Sequence, residues 1–172
     1  ANKREGNAGT TAFTFTVTRS GVLTGATTLN YAVVGNGASP ATASDFIGNA
    51  FPSGLVSFAA RETSKVITVR VRGDVALEAD ERFRVTLSSV SGGATITTAT
   101  ADGLIRNDDT SLAIAATSAN KNEGNSGGTL FTFTVTRSGI LTGVTTVNYA
   151  VAGNGANPAL ANDFIGNAFP TG

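Results

Sequence analysis

Residues 13–18 read Phe-Thr-Phe-Thr-Val-Thr, so that apolar side chains alternate with hydroxyl side chains. Successive side chains of a β-strand point to opposite faces of a sheet, so this period of two predicts a strand with one buried face and one face in water. The same alternation occurs in residues 28–33, 67–72 and 83–87. No stretch has the apolar period of a helix.

Shorter strands fit Leu55–Phe58 and Thr95–Arg106, and another strand begins near Leu112. Gly-, Asn- and Ser-rich turns separate these segments. About seven short strands within about 110 residues are typical of an immunoglobulin-like sandwich. The sequence therefore predicts an all-β fold, an antiparallel β-sandwich of immunoglobulin-like architecture.

The chain also repeats itself at an offset of 118 residues. ANKREGNAGTTAFTFTVTRSG at 1–21 returns as ANKNEGNSGGTLFTFTVTRSG at 119–139, and 42 of the 54 positions compared are identical. A repeat of this length is typical of a tandem array. We therefore expect a first domain at 1–109, with an incomplete first strand, and the N-terminal half of a second domain at 110–172.

The amino-acid composition excludes several classes of function. The chain has no His and no Cys, which removes the commonest general base and thiolate chemistry, and Glu78 and Glu81 lie too close in one loop to flank a bond. We expect no enzymatic activity. Twelve basic and twelve acidic residues balance, so we expect no nucleic-acid partner, and no apolar stretch is long enough for membrane insertion. Abundant Gly and Thr without Cys favour an extracellular or cell-surface protein.

Tracing the strands up and down places most acidic side chains of residues 1–109 at one end of the sandwich. These eight are Glu5, Asp45, Asp74, Glu78, Asp80, Glu81, Asp108 and Asp109. Carboxylates this close repel one another, so a cation is expected among them. Ca²⁺ accepts six to eight oxygen ligands from flexible loops and is the favoured interpretation. The alternative is a network of salt bridges with the nearby bases Lys3, Arg4, Arg82, Arg84 and Arg106.

The order of these strands and acidic loops resembles the Calx-beta domain. The resembling stretches are Glu5-Gly6-Asn7, Phe13 to Gly21, Asn30-Tyr31, Asp45-Phe46, Phe58 to Val69, Asp74 to Leu87 and Gly103 to Asp109. The resemblance covers the first domain and continues into the second. It implies a calcium-binding β-sandwich of the kind found as tandem repeats in bacterial surface or secreted proteins.

The ligand positions that the resemblance implies are Glu5, Asp45, Asp74, Glu78, Glu81, Asp108 and Asp109, with Asp80 as a further candidate. Glu123 and Asp163 are the counterparts of Glu5 and Asp45 in the second copy. Gly73 and Asn107 stand where calcium-binding members often carry Asp, which implies fewer ions or weaker affinity.

We therefore expect a calcium-stiffened spacer, adhesin or fibre segment whose partners are neighbouring repeats. The alternative is a metal-independent adhesive or fibre-forming module that binds a protein or glycan. Residues 119–172 nearly duplicate 1–54, so head-to-tail strand exchange into a filament is a further expectation.

Overall fold

The computed structural model describes all 172 residues, and its regular secondary structure consists almost entirely of strands. The nine strands are β1 (Asn2–Arg4), β2 (Thr10–Thr18), β3 (Thr27–Gly35), β4 (Ser53–Phe58), β5 (Ser64–Arg72), β6 (Glu81–Ser88), β7 (Thr100–Arg106), β8 (Thr110–Ser118) and β9 (Thr132–Gly139). Two three-residue 3-10 helices, at Ala43–Asp45 and Ala161–Asp163, are the only helical segments. Neither has the length or apolarity needed to cross a membrane.

The chain divides into two compact units. Unit one comprises Ala1–Ser111 with Ser138–Ile140, and unit two comprises Leu112–Arg137 with Leu141–Gly172. Unit one contains a five-stranded sheet in the order β1-β7-β6-β3-β4 and a two-stranded sheet of β2 and β5. The predicted all-β, immunoglobulin-like sandwich is confirmed.

The core of unit one lies between these two sheets and is centred on Phe83 of β6. The Phe83 ring meets the edges or faces of Phe13, Phe15 and Phe46 at centroid distances of 5.4, 5.8 and 5.5 Å. Phe13 and Phe15 belong to the opposite sheet, so these edge-to-face contacts join the two layers. On β7, a Cβ at Gly103 would lie 2.2 Å from the Phe83 ring, so only glycine fits there.

Two details differ from the sequence prediction. The sandwich is not wholly antiparallel, because β1 pairs parallel with β7, Lys3 lying opposite Ile105. The predicted strand at Thr95–Arg106 is shorter, since β7 begins at Thr100. Its neighbour β6 ends at Ser88, and the positive φ of 52° at Ser89 turns the chain away, so residues 95–98 have no strand to pair with.

Most of the two-stranded sheet of β8 and β9 belongs to unit two. Residues 119–172 repeat residues 1–54 of unit one, but the burial of the two copies differs. Phe13 is 0 % exposed, whereas its counterpart Phe131 is 46 % exposed. Phe133, Val135, Val147 and Tyr149 are exposed as well, as the sequence predicts for a half-sandwich, and Val151 is partly buried. The same side chains are thus buried only where β5 and β6 cover them.

Candidate metal centre

The parallel pairing of β1 with β7 brings two acidic segments together at one end of unit one. Arg4 lies opposite Arg106, so Glu5 and Asp108 follow directly after two adjacent strand ends. The Glu5 N–H donates to the Arg106 carbonyl at 3.3 Å. The next N–H, of Gly6, donates to Oδ1 of Asp108 at 3.0 Å. The backbone therefore holds the Glu5 and Asp108 side chains beside each other.

Asp45 reaches the same end of unit one from the long β3–β4 connection. It closes the 3-10 helix Ala43–Asp45, and its Oδ2 accepts a hydrogen bond from the Thr42 N–H at 2.5 Å. The next residue, Phe46, is 0 % exposed and forms a β-bridge with Val71 of β5. This anchoring of Phe46 in the core fixes the position of the neighbouring carboxylate.

The acidic side chains form two groups of three. Glu5, Asp108 and Asp109 make up the first group, and Asp45, Glu78 and Glu81 make up the second. Within each group, one carboxylate oxygen from every residue lies within 4.8 Å of the others. The six residues come from four separate segments of the chain, so only the folded protein brings them together.

Asp109 is the most deeply buried member of the first group. Its side chain is 2 % exposed, and neither Oδ1 nor Oδ2 has a hydrogen-bond partner. A buried carboxylate without a partner costs several kcal/mol or shifts its pKa, so buried charges are normally paired or coordinate a metal. The unpartnered oxygens of Asp109, in an all-carboxylate donor set, fit a hard cation such as Ca²⁺.

The electrostatics of the cluster favour bound protons or a cation. Burial, followed by repulsion from Glu78, Asp74, Asp109 and Asp108, raises the pKa of Glu5 to about 7. Burial, followed by a hydrogen bond and repulsion from Asp45, raises the pKa of Glu81 to about 8. Burial first, and neighbouring acids second, also raise the pKa values of Glu78 and Asp109. The charged forms of these acids are therefore disfavoured near neutral pH unless a cation offsets their burial and mutual repulsion.

No basic side chain forms an ion pair with the acids of the two groups. The two ion pairs of the structure are Lys65–Glu62 at 2.9 Å and Arg84–Asp102 at 2.7 Å, and both use acids outside the cluster. Lys3 donates instead to the main-chain carbonyl of Ala12. The salt-bridge network that the sequence left open is thus not found at this end.

Asp74 and Asp80 differ in their relation to the two groups. Asp74 lies close enough to raise the pKa values of Glu5, Glu78 and Asp109, while its Oδ1 accepts from the Ala76 N–H at 2.8 Å. Asp80 belongs to neither group of three, and its Oδ1 accepts from the Asn107 N–H at 3.2 Å. Asp80 is thus placed to support the loop.

Asn107 has a positioning role that the sequence analysis missed. Its Oδ1 accepts from the N–H of Asp109 at 3.3 Å and from that of Glu78 at 3.5 Å. The amide of Asn107 thus links the β5–β6 loop to the chain after β7. An Asn side chain that accepts from the backbone N–H two residues later forms an Asx-turn. The sequence Asn107-Asp108-Asp109 therefore contained a signal for this contact.

Gly73, where calcium-binding relatives are expected to carry an acid, faces a close backbone approach. A Cβ at Gly73 would lie 2.1 Å from the Gly6 carbonyl oxygen. A side chain at residue 73 would therefore clash with the backbone of Glu5 and Gly6, which follows β1.

The structure does not gather the acids of unit two into a group. Asp163 Oδ2 accepts from the Leu160 N–H at 2.7 Å, as Asp45 does from Thr42. Glu123 and Asp163 belong to neither group of three carboxylates. Their counterparts Glu5 and Asp45 are joined by acids from residues 74–109, a segment that unit two does not repeat.

Comparison with known proteins identifies related folds. A family model described as the Calx-beta domain matches residues 3–109. The solved calcium-binding domain CBD12 of CALX1.1 is similar with a TM-score of 0.55 and 23% identity, over 69% of this chain and 47% of that one. CBD12 from CALX1.2 is similar with a TM-score of 0.53 and 24% identity, over 71% and 48%. This chain thus spans about half the length of either, and at this identity the likeness shows the fold. No curated protein matches significantly.

Proposed function

Because this chain belongs to the Calx-beta domain family, we propose that unit one is a calcium-binding structural module without enzymatic activity. The observation that carries the proposal is the buried carboxylate of Asp109, which has no hydrogen-bond partner and lies among acids that no base neutralises. The solved relative named as a calcium-binding domain supports it through the shared fold.

The proposed ligands fall into two sets that follow the geometry. Glu5, Asp108 and Asp109 would hold one ion, and Asp45, Glu78 and Glu81 would hold or share another. Asp74 adds negative charge beside both sets. Ca²⁺ suits them better than Mg²⁺, since Mg²⁺ seldom uses an all-protein site.

When bound, Ca²⁺ supplies positive charge that offsets the repulsion among these carboxylates. The ligand residues would link separate segments of the chain. Glu5 lies at the end of β1, Asp109 follows β7, Asp45 belongs to the β3–β4 connection and Glu78 to the β5–β6 loop. Ligation would tie these four segments to one another. The proposed function is therefore stiffening of this end of the sandwich, from which the chain continues through Asp108, Asp109 and Thr110.

In a larger protein, we propose that this module acts as an extracellular or cell-surface spacer, adhesin or fibre segment built of tandem repeats. The support is the internal copy, identical at 42 of 54 positions, and a composition without Cys. Neighbouring repeats are the proposed partners.

Calorimetric titration of the full chain with calcium tests the central proposal. We expect binding with a Kd between about 10⁻⁵ and 10⁻³ M, the range from sensor sites to extracellular modules. Asp109→Asn keeps the shape of the side chain but removes its charge, and should weaken binding. Glu62→Gln is the matched control, since Glu62 pairs with Lys65 outside the cluster. Absence of calcium-dependent heat in the parent protein would favour the metal-independent adhesive module instead.

A further inference from the structure

The loop that follows β3 contains the dipeptide Asn36-Gly37. Among the fourteen Asn residues of the chain, only Asn36 and its counterpart Asn154 are followed by Gly. Every other Asn precedes a residue with a Cβ, which shields the main-chain nitrogen next to it. Glycine has no Cβ, so the nitrogen of Gly37 can approach the side chain of Asn36 closely. The dipeptide thus meets the steric requirement for attack by a main-chain nitrogen on a side-chain amide.

The structure leaves both reacting groups of this dipeptide accessible. Gly37 is exposed and Asn36 is half-buried. Gly37 has a φ of 80°, a conformation that glycine adopts without strain, and its N–H donates to no main-chain carbonyl. The side chain of Asn36 forms no hydrogen bond, whereas Oδ1 of Asn107 accepts from two N–H groups. Neither reacting group of Asn36-Gly37 must therefore break a hydrogen bond before the attack.

Hydrogen bonds to β6 hold the base of the loop in place. The N–H groups of Asn36 and Ala41 both donate to the Arg82 carbonyl, at 2.9 and 2.8 Å. The Arg82 N–H in turn donates to the Ser39 carbonyl at 2.9 Å. These contacts do not involve the N–H of Gly37. Water and base can therefore reach the peptide group between residues 36 and 37 without unfolding of the loop.

We propose that Asn36 is a site of spontaneous deamidation, in which the chain itself supplies the nucleophile. A base removes the proton of the Gly37 N–H, and this nitrogen forms a bond to Cγ of Asn36. The Cγ–Nδ2 bond breaks, and ammonia leaves after it takes up a proton from water, which closes a succinimide ring. Water then opens the ring at Cγ to give aspartate, or at the main-chain carbonyl carbon to give isoaspartate. The overall reaction consumes water and releases ammonia, with no oxidation or reduction.

The reaction changes both the charge and the length of this loop. An aspartate at residue 36 is ionised at neutral pH. The new charge lies in a loop on which the Arg82 side chain packs, since a Cβ at Gly37 would lie 3.2 Å from Arg82 Cδ. Arg82 forms no ion pair in this structure. Isoaspartate also inserts a methylene into the main chain between the two N–H donors that hold the loop on the Arg82 carbonyl.

Peptide mapping of the full chain tests the proposal. The folded protein is incubated at mildly alkaline pH, and mass spectrometry of its peptides measures the conversion of each Asn to aspartate and isoaspartate. Asn49 is the control within the same chain, because it lies in an exposed turn of the same β3–β4 connection but precedes Ala50. We expect conversion of Asn36 to be at least several-fold faster than conversion of Asn49, and we expect its products to include isoaspartate.

Two variants test the chemistry of the step. In Gly37→Ala, the added methyl group shields the attacking nitrogen, so conversion of Asn36 should fall several-fold. Asn36→Gln keeps an amide and leaves residue 37 unchanged, but its ring would be larger and closes more slowly, so residue 36 should stay unmodified. Melting curves confirm that both variants remain folded.

Three results would overturn the proposal. The first is equal conversion of Asn36 and Asn49 in the unsubstituted protein. The second is conversion in Gly37→Ala that is as fast as in the unsubstituted protein. The third is formation of aspartate at residue 36 without isoaspartate, since direct hydrolysis of the side chain would then replace the succinimide route.

Discussion

The N–H of Gly6 donates to the carboxylate of Asp108 at 3.0 Å, across 102 residues of sequence. This hydrogen bond sets the distance between the chain leaving β1 and the chain leaving β7. It also orients Asp108 beside Glu5 and the buried Asp109. The candidate metal centre thus depends on a contact between the beginning and the end of the sandwich.

Removing a carboxylate from the cluster should weaken calcium binding, and removing one elsewhere should not. Glu78→Ala and Asp108→Ala each take away an oxygen and a negative charge, one from each group of three. Glu62→Ala is the control, because the Glu62 carboxylate lies outside both groups of three and pairs with Lys65. Titration calorimetry of the three variants measures the effect. Three equal affinities would contradict the proposed location of the site.

The calcium-free protein should become less stable as the pH rises from 5 to 8. The folded pKa values of Glu5 and Glu81 are raised from 4.5 to about 7 and about 8. In this window the folded state holds protons that the unfolded chain has released. For each such proton, the free energy of unfolding falls by up to about 1.4 kcal/mol for every unit by which the pH rises. The lowered pKa values of Glu62 and Asp102 affect stability only at more acidic pH.

Melting temperatures in chelator across this pH range measure the slope. The double variant Glu5→Gln and Glu81→Gln should flatten it. Saturating calcium should weaken or reverse the slope, because the ion binds the deprotonated carboxylates and competes with protons. If the unsubstituted protein in chelator melts at a higher temperature at pH 8 than at pH 5, the pKa values of Glu5 and Glu81 are not raised in the folded state.

Gly103→Ala should destabilise unit one through a direct clash. The added Cβ would lie 2.2 Å from the Phe83 ring, which is itself fixed by three other aromatic side chains. Overpacking of this kind costs about 1–3 kcal/mol. Gly25→Ala is the control, since its Cβ meets nothing within 4 Å. Urea denaturation followed by circular dichroism compares the two, and equal midpoints would mean that the core yields at Phe83.

Phe13→Ala and Phe131→Ala form a matched pair within the repeated sequence. Phe13 is 0 % exposed, so its truncation should cost about 3–5 kcal/mol. Phe131 is 46 % exposed, and its truncation should change stability by about 0.5 kcal/mol or less. Urea titrations of both variants provide the measurement. A comparable loss for Phe131→Ala would indicate that another strand covers unit two in solution.

Most of the strand positions could be predicted from local pattern. Phe13, Phe15 and Val17 are buried in β2, and Ile67, Val69 and Val71 are buried in β5, as their period of two requires. The predicted strand at residues 95–99 was wrong, because a strand there needs a paired neighbour and β6 ends at Ser88. The parallel pairing of β1 with β7 could not be predicted either, since a three-residue strand carries no pattern of its own.

The sequence by itself determined which segments alternate, which loops carry the acids, and that residues 119–172 copy residues 1–54. These properties are local, so they need no knowledge of the fold. Only the tertiary structure decided that Asp109 is buried without a partner while the adjacent Asp108 bonds to Gly6. It also decided that Phe13 is buried and its counterpart Phe131 exposed. The physical reason is the same in both cases, because burial is a property of the surrounding strands and not of the residue itself.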